Sequence, residues 1–119
     1  MKLLIADDNA EVRGLLRRLF AKLVTELREC ADGLEAIQAF NQFDPDWTIM
    51  DIAMPRLDGL AATRQIVASH PSARIIVLTE YRGIEYERAA LEAGACKFML
   101  KDDLVPLIQF LSAHSTANQ

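Results

Sequence analysis

Short apolar runs and longer stretches with helical periodicity alternate five times along this chain. Leu3 to Ala6, LLIA, is apolar throughout, the pattern of a strand covered on both faces. Asn9 or Asp8 can cap the helix that follows, in which Val12, Leu15, Leu16, Leu19, Phe20 and Leu23 recur at three- and four-residue spacing while Arg13, Arg17 and Arg18 face out. Thr25 to Cys30 alternates weakly and reads as an edge strand, and the turn Ala31-Asp32-Gly33 leads into a helix from Leu34 to about Phe43. Asp44-Pro45-Asp46 breaks that helix, and Trp47 to Asp51 forms a third strand. A loop through Met54-Pro55-Arg56-Leu57-Asp58-Gly59 precedes a helix from Leu60 to Ser69, which His70-Pro71 ends. Arg74 to Thr79 is the strongest strand signal, because isoleucine and valine dominate it. Gly83 to Ala93 reads as a helix with Gly94 as its left-handed cap, and Lys97 to Lys101 as a fifth strand. Asp102 or Asp103 then caps a last helix running to about Ala113, with Pro106 tolerated in its first turn. Ser112 to Gln119 is small and polar, suited to a tail or the start of a linker.

Strict alternation of this kind implies an α/β sandwich around a parallel sheet, because right-handed crossovers place helices on both faces. With 119 residues and 51% hydrophobic content, the chain has room for one domain, 1–119, and a sizeable core. A formal net charge of -4 at pH 7 disfavours a nucleic-acid surface on this domain, since displacing counterions from phosphates takes a basic face. Cys30 and Cys96 show no ligand spacing and sit among apolar residues, so both are expected as buried, reduced thiols in a cytoplasmic protein. The opening run MKLLIAD stops at two aspartates, well short of a signal-peptide core or a spanning helix, and no membrane partner is expected.

What distinguishes the chain is how its strands end. The first stops at Asp7-Asp8, the third at Asp51, the fourth at Thr79 and the fifth at Lys101. Ligands of parallel α/β sheets bind outside the carboxyl ends of the strands, so these side chains are expected to converge. Three carboxylates packed together raise one another's pKa unless a cation neutralises them, and hard oxygen ligands in this number suit Mg²⁺. A lysine beside them can hold a phosphoryl oxygen, and a threonine hydroxyl can donate to another. Each residue alone has a plainer explanation: Asp8 as a helix cap, Lys101 as a surface lysine, Thr79 as a strand end. Asp51 has none, because Ile52-Ala53-Met54-Pro55 begins no helix for it to cap.

In this combination the chain resembles the receiver domains of two-component response regulators. The likeness rests on LLIADD at the start, IMDIAMPRLDG around Asp51, IIVLTE at the fourth strand and ACKFMLK at the fifth, and it covers essentially the full length. It implies a flavodoxin-like (βα)5 three-layer sandwich with strand order 2-1-3-4-5. Asp51 would be the phospho-acceptor for a partner histidine kinase or phosphotransfer protein. Asp7, Asp8, Asp51 and the backbone carbonyl of Ala53 would hold Mg²⁺, and Lys101 and Thr79 would contact the phosphoryl group. Thr79 and Phe98 would form a switch, with a permanently buried core aromatic as the plainer reading of Phe98. Homodimerisation on phosphorylation is a further implication, as is chemistry confined to the domain's own phosphorylation and dephosphorylation.

Some positions depart from the family pattern. Glu80 stands where receivers usually carry a small residue, and a carboxylate pointing inward there would repel an incoming phosphoryl group. Ala53 and Tyr81 occupy flanking positions that influence how fast the acyl phosphate hydrolyses. Lys101-Asp102 in place of lysine-proline resembles the subgroup in which a helix-turn-helix output domain follows the receiver and controls transcription. Three alternatives compete. A degenerate or stand-alone receiver would act as an interaction module. A haloacid-dehalogenase-like phosphatase wants a second aspartate where Ala53 stands, and a flavodoxin-like cofactor protein wants a phosphate-cradling loop where Asp7-Asp8-Asn9 stands.

Overall fold

A computed structural model describes residues 1–115 of the chain. Ten elements alternate: β1 (Lys2–Ala6), α1 (Ala10–Leu19), β2 (Glu26–Cys30), α2 (Gly33–Phe43), β3 (Trp47–Met50), α3 (Gly59–Ser69), β4 (Ile75–Thr79), α4 (Ile84–Glu92), β5 (Lys97–Leu100) and α5 (Val105–Ala113). The strands form one parallel sheet in the order β2-β1-β3-β4-β5. Leu3, Ile5, Trp47, Ile49, Ile76 and Leu78 bury one face of the sheet against Leu16 and Phe20 of α1 and Leu107 and Leu111 of α5. On the other face Leu4, Ala6, Met50 and Ile75 meet Ala36 and Phe40 of α2 and Ala62 and Ile66 of α3. Val77 and Ile52 pack with Ala90 of α4, beside the half-buried Phe98. The three-layer architecture and strand order thus follow the sequence reading.

Departures from the expected pattern are local, and each has a physical reason. Of the large apolar side chains of α1 and its cap, Leu16 and Phe20 are fully buried, whereas Leu15 and Leu19 are 40% and 38% exposed, because the apolar stripe is wider than the strip of sheet beneath it. Leu23 falls beyond the helix, which ends at Leu19 with Phe20 as its cap. Asn9, not Asp8, caps α1, accepting from the amides of Glu11 and Val12 at 2.9 and 3.2 Å. No side chain caps α5; Asp103 instead accepts from the Val105 amide at 3.1 Å, one residue outside the Leu104 cap position. Cys30 is buried as expected, but Cys96 is exposed, since it leads into β5, which has a neighbour on one side only. Gly94, with φ 109°, ends α4 in the left-handed conformation anticipated for it. Ser112 and Ala113 belong to α5 rather than to a tail, and residues 116–119 of the expected tail lie outside the described residues. Along the other edge strand, β2, Glu26, Arg28 and Glu29 are exposed.

Close backbone approach fixes the segment after β3. The Asp51 amide donates to the Ala6 carbonyl at 2.9 Å, prolonging the ladder, and the Gly59 amide donates to the Ile52 carbonyl at 2.8 Å, closing the loop between β3 and α3. A Cβ on Gly59 would lie 1.7 Å from the Asp51 carbonyl oxygen, so no side chain fits there without moving Asp51. Gly59→Ala is therefore expected to cost about 3 kcal/mol in urea denaturation. Thr48 and Thr63 are buried with hydroxyls that find no hydrogen-bond partner among the described residues. Thr48→Val is expected to be neutral or stabilising by up to about 1 kcal/mol, and a clear loss of stability would mean a partner for that hydroxyl.

Candidate functional site

Parallel register brings the charged strand ends together. Ala6 pairs with Met50, so Asp7 and Asp51 start side by side at the carboxyl edge, and Thr79 pairs with Leu100, so Lys101 starts at the same edge one strand beyond Thr79. The Asp7 amide continues the ladder to the Cys30 carbonyl at 3.0 Å, and the Lys101 amide to the Thr79 carbonyl at 2.9 Å. Asp7 and Asp51 are almost fully buried, at 2% and 5% exposure, while Asp8 is exposed. Each of the three offers a carboxylate oxygen, all within 4.8 Å of one another, the one such acidic cluster among the described residues.

Lys101 crosses from the far side of the sheet to meet them. Its Nζ lies 2.7 Å from Asp7 Oδ2 and 3.0 Å from Asp51 Oδ2. The other Asp51 oxygen, Oδ1, accepts from the Ile52 amide at 2.8 Å, which fixes the carboxylate plane. Thr79, buried beside them, accepts from the Tyr81 amide through Oγ1 at 3.2 Å. Above lies an open cavity of about 230 Å³ lined by Asp8, Asn9, Asp51, Ala53, Thr79, Glu80, Tyr81 and Lys101. Glu80 is exposed at its rim. Phe98 does not line it; half-buried on β5, it packs in the cluster of Ile52, Val77 and Ala90 that also includes Tyr86. Neither the fully buried reading of Phe98 nor a fully exposed ring describes it.

The family description "response regulator receiver domain" matches residues 3–112. This chain belongs to the response regulator receiver domains. The receiver is 41% identical over 104 residues to the uncharacterized transcriptional regulatory protein YhcZ of Bacillus subtilis, a match covering 86% of this chain and 49% of that protein. It spans about half the length of the curated regulators of this kind that it matches. Among solved structures, a LuxR-family two-component response regulator from Aurantimonas is 32% identical with a TM-score of 0.87, covering 95% of the receiver and 83% of that chain. The CheX-CheY-BeF3-Mg²⁺ complex from Borrelia burgdorferi is 25% identical with a TM-score of 0.89, covering 98% and 90% respectively. No helix among the described residues of the receiver is long and apolar enough to cross a membrane.

Some contacts around the receiver's acidic cluster carry no local sequence signal. Arg13, expected to face solvent, donates through Nη1 to the Asp7 carbonyl at 2.7 Å and pairs with Glu29 on β2 at 3.1 Å. Asn9, read only as a helix cap, also donates its amide to Asp7 Oδ1 at 2.9 Å and lines the cavity. Arg82 and Asp102 pair across the rim, joining the loop after β4 to the loop after β5. Asp32 caps α2 and pairs with Arg56 at 2.9 Å, a contact between residues 24 apart that the local spacing conceals. One turn signal did mark this place, the Asp32-Gly33 pair.

Burial dominates the electrostatics of Asp51. It raises the carboxyl's pKa, and the neighbouring Asp7 charge adds to it, more than the Lys101 hydrogen bond and the Ile52 amide lower it. For Lys101 burial works against the charge, yet the hydrogen bonds to Asp7 and Asp51 and their charges prevail and raise its pKa. A carboxylate whose folded pKa is raised costs stability as pH climbs from its unfolded value through its folded one. Asp51→Asn is accordingly expected to stabilise the metal-free protein at pH 7 by about 1 kcal/mol. The gain should vanish as pH falls to the ordinary aspartate range, which paired thermal melts of the two proteins across that range will measure.

Proposed function

We propose that the receiver accepts a phosphoryl group on Asp51 from a sensor histidine kinase or a phosphotransfer protein. The observation that carries this reading is the Lys101 ammonium held between the Asp7 and Asp51 carboxylates, 2.7 and 3.0 Å from their oxygens, at the floor of an open cavity. In the step, an Asp51 oxygen bonds to phosphorus while the bond from phosphorus to the donor nitrogen breaks, and the electron pair leaves with the imidazole. The barrier to such a transfer lies in bringing two anions together and holding charge on the equatorial oxygens. Lys101 meets part of that demand without moving far, because a phosphoryl group on Asp51 Oδ2 lies within reach of its other donor hydrogens.

The donor set fits a divalent cation. Asp7, Asp8 and Asp51 offer hard oxygens within 4.8 Å, and Ala53 lines the same cavity, where its carbonyl would be a fourth donor. This is the ligand chemistry that suits Mg²⁺, which keeps several waters and takes few carboxylates. Bound there, Mg²⁺ supplies positive charge against the phosphoryl oxygens. Removing it leaves Lys101 as the one cation among the cavity-lining residues.

Thr79 and Phe98 form the response. Thr79 Oγ1 accepts from the Tyr81 amide, which leaves its own O–H free to donate to a phosphoryl oxygen. Rotation toward that oxygen vacates space on the side of β5, where Phe98 is only half-buried and can sink inward. Ala53, Glu80 and Tyr81 line the mouth and regulate the access of donor and water, with Glu80 adding negative charge in the path of a phosphoryl donor. The altered surface then acts in the cytoplasm within a longer transcription regulator, as a homodimer. Support for the role in transcription comes from the likeness to a named transcriptional regulator and a LuxR-family regulator. The domain's own chemistry is confined to its phosphorylation and dephosphorylation.

Incubation with acetyl phosphate and Mg²⁺, followed by intact-mass measurement, tests the acceptor. Wild type is expected to gain one phosphoryl group, Asp51→Asn none, and chelation of the metal should abolish the gain. Modification of both proteins would remove Asp51 from its role, and modification of neither would leave an interaction module in place of a phospho-acceptor.

A further inference from the structure

The loop carrying Ala53 is strained at one point and tied down at the same point. Arg56 has φ 65°, in the left-handed region that residues other than glycine enter at a cost. Across it the Leu57 amide donates to the Pro55 carbonyl at 2.7 Å, so residues 55–57 make a γ-turn with positive central φ, a rare and strained form. Arg56 meets Asp32 Oδ2 with two nitrogens, Nε and Nη2, both at 2.9 Å, while Asp32 Oδ1 accepts from the Glu35 amide at 2.8 Å. One buried carboxylate thus joins the strained turn to the first turn of α2. The Glu35 amide first, and Arg56 after it, hold the Asp32 carboxyl at about 2, so the pair is ionised at neutral pH.

A second contact docks the loop on the same helix end. The Gly33 amide donates to the Leu57 carbonyl at 2.9 Å, and a Cβ on Gly33 would come within 2.1 Å of that oxygen. Between Ile52, held by Gly59, and this anchor at Leu57 lie Ala53, Met54 and the turn residues Pro55 and Arg56. Their backbone is therefore set by fixed points on either side, one of which persists only while the turn at Arg56 does.

We propose that Asp32 and Arg56 are positioning residues for the Asp51 site: their ion pair holds the strained γ-turn, and the turn holds the Ala53 carbonyl toward the acidic cluster. The inference rests on the reading of that carbonyl as a divalent-cation ligand. Loss of the pair lets the turn relax toward ordinary φ, moves the carbonyl, and weakens cation binding without touching any of the three aspartates. Strain stored beside a site and held by the surrounding fold is the arrangement expected where geometry must be kept in advance of a ligand.

Calorimetric titration of the metal-free protein with Mg²⁺ alone, read beside the Ala53 amide resonance before metal is added, tests it. Asp32→Asn keeps an oxygen for the helix cap but loses the charge, and Arg56→Gln loses the charge but keeps the backbone strain. Each is expected to weaken Mg²⁺ binding about tenfold and to shift the Ala53 resonance. Arg56→Gly removes the pair and the strain together, so it should bind nearer to wild type, and adding Asp32→Asn to it should change little more. A merely structural pair would lower the melting temperature of the variants and leave affinity and resonance alone. Binding within about twofold of wild type in both Asp32→Asn and Arg56→Gln, with Ala53 unshifted, overturns the proposal. Wild-type binding that survives Asp51→Asn unchanged sinks the cation-site reading itself, and this inference with it.

Discussion

Two carboxylates share one ammonium at the carboxyl edge of this sheet, and the rest of the site is arranged about that sharing. Asp7 and Asp51 are each nearly withdrawn from water, and a buried charge is costly unless it is paired. Lys101 reaches them from β5 across the intervening strands, so the contact depends on three segments that are remote in sequence. Only the parallel register, with Ala6 beside Met50 and Thr79 beside Leu100, puts the three backbones in place for it. The helices matter to the site mainly because they cover the strands and force that register.

The balance at the edge is incomplete, which is what makes it useful. One lysine set against Asp7, Asp8 and Asp51 leaves an excess of negative charge in a cavity open to solvent. Desolvation outweighs the lysine's help to Asp51, so the apoprotein carries a cost at the residue on which its chemistry would be done. A fold optimised for stability alone would replace such a cluster with apolar groups. Keeping it is the usual compromise between holding a reactive group ready and holding the chain together.

Much of this was legible before any coordinates. The apolar runs that stop at Asp7, Asp51, Thr79 and Lys101 gave both the strands and the side chains that meet at their ends, because continuous apolar runs and helical periodicity are local signals. Asp51 stood out because nothing after it could be capped. Less was visible where a residue's fate is decided by a partner far away. Arg13 resembles any outward-facing arginine until β2 brings Glu29 beside it. Asp32 reads as a turn residue and Arg56 as a loop residue, and their contact depends on two separate crossings of the sheet. Leu15 and Leu19 carry the right periodicity but lie on the flank of α1, since the sequence pattern records which positions are apolar and not how wide the covering surface is. Cys96 was misjudged for a related reason, as apolar neighbours do not bury a residue at the border of a sheet.

One consequence follows from the charges along β2. A parallel sheet has two open edges, and an open edge invites a strand from another molecule. Glu26, Arg28 and Glu29 line one of these edges, and Lys97 stands exposed at the start of the strand forming the other. A second copy approaching edge to edge would draw these charges out of water, Glu29 together with the arginines of α1 that it already pairs with. The sheet is therefore a closed account as far as growth is concerned, which leaves the helices and loops as the surfaces open to a partner.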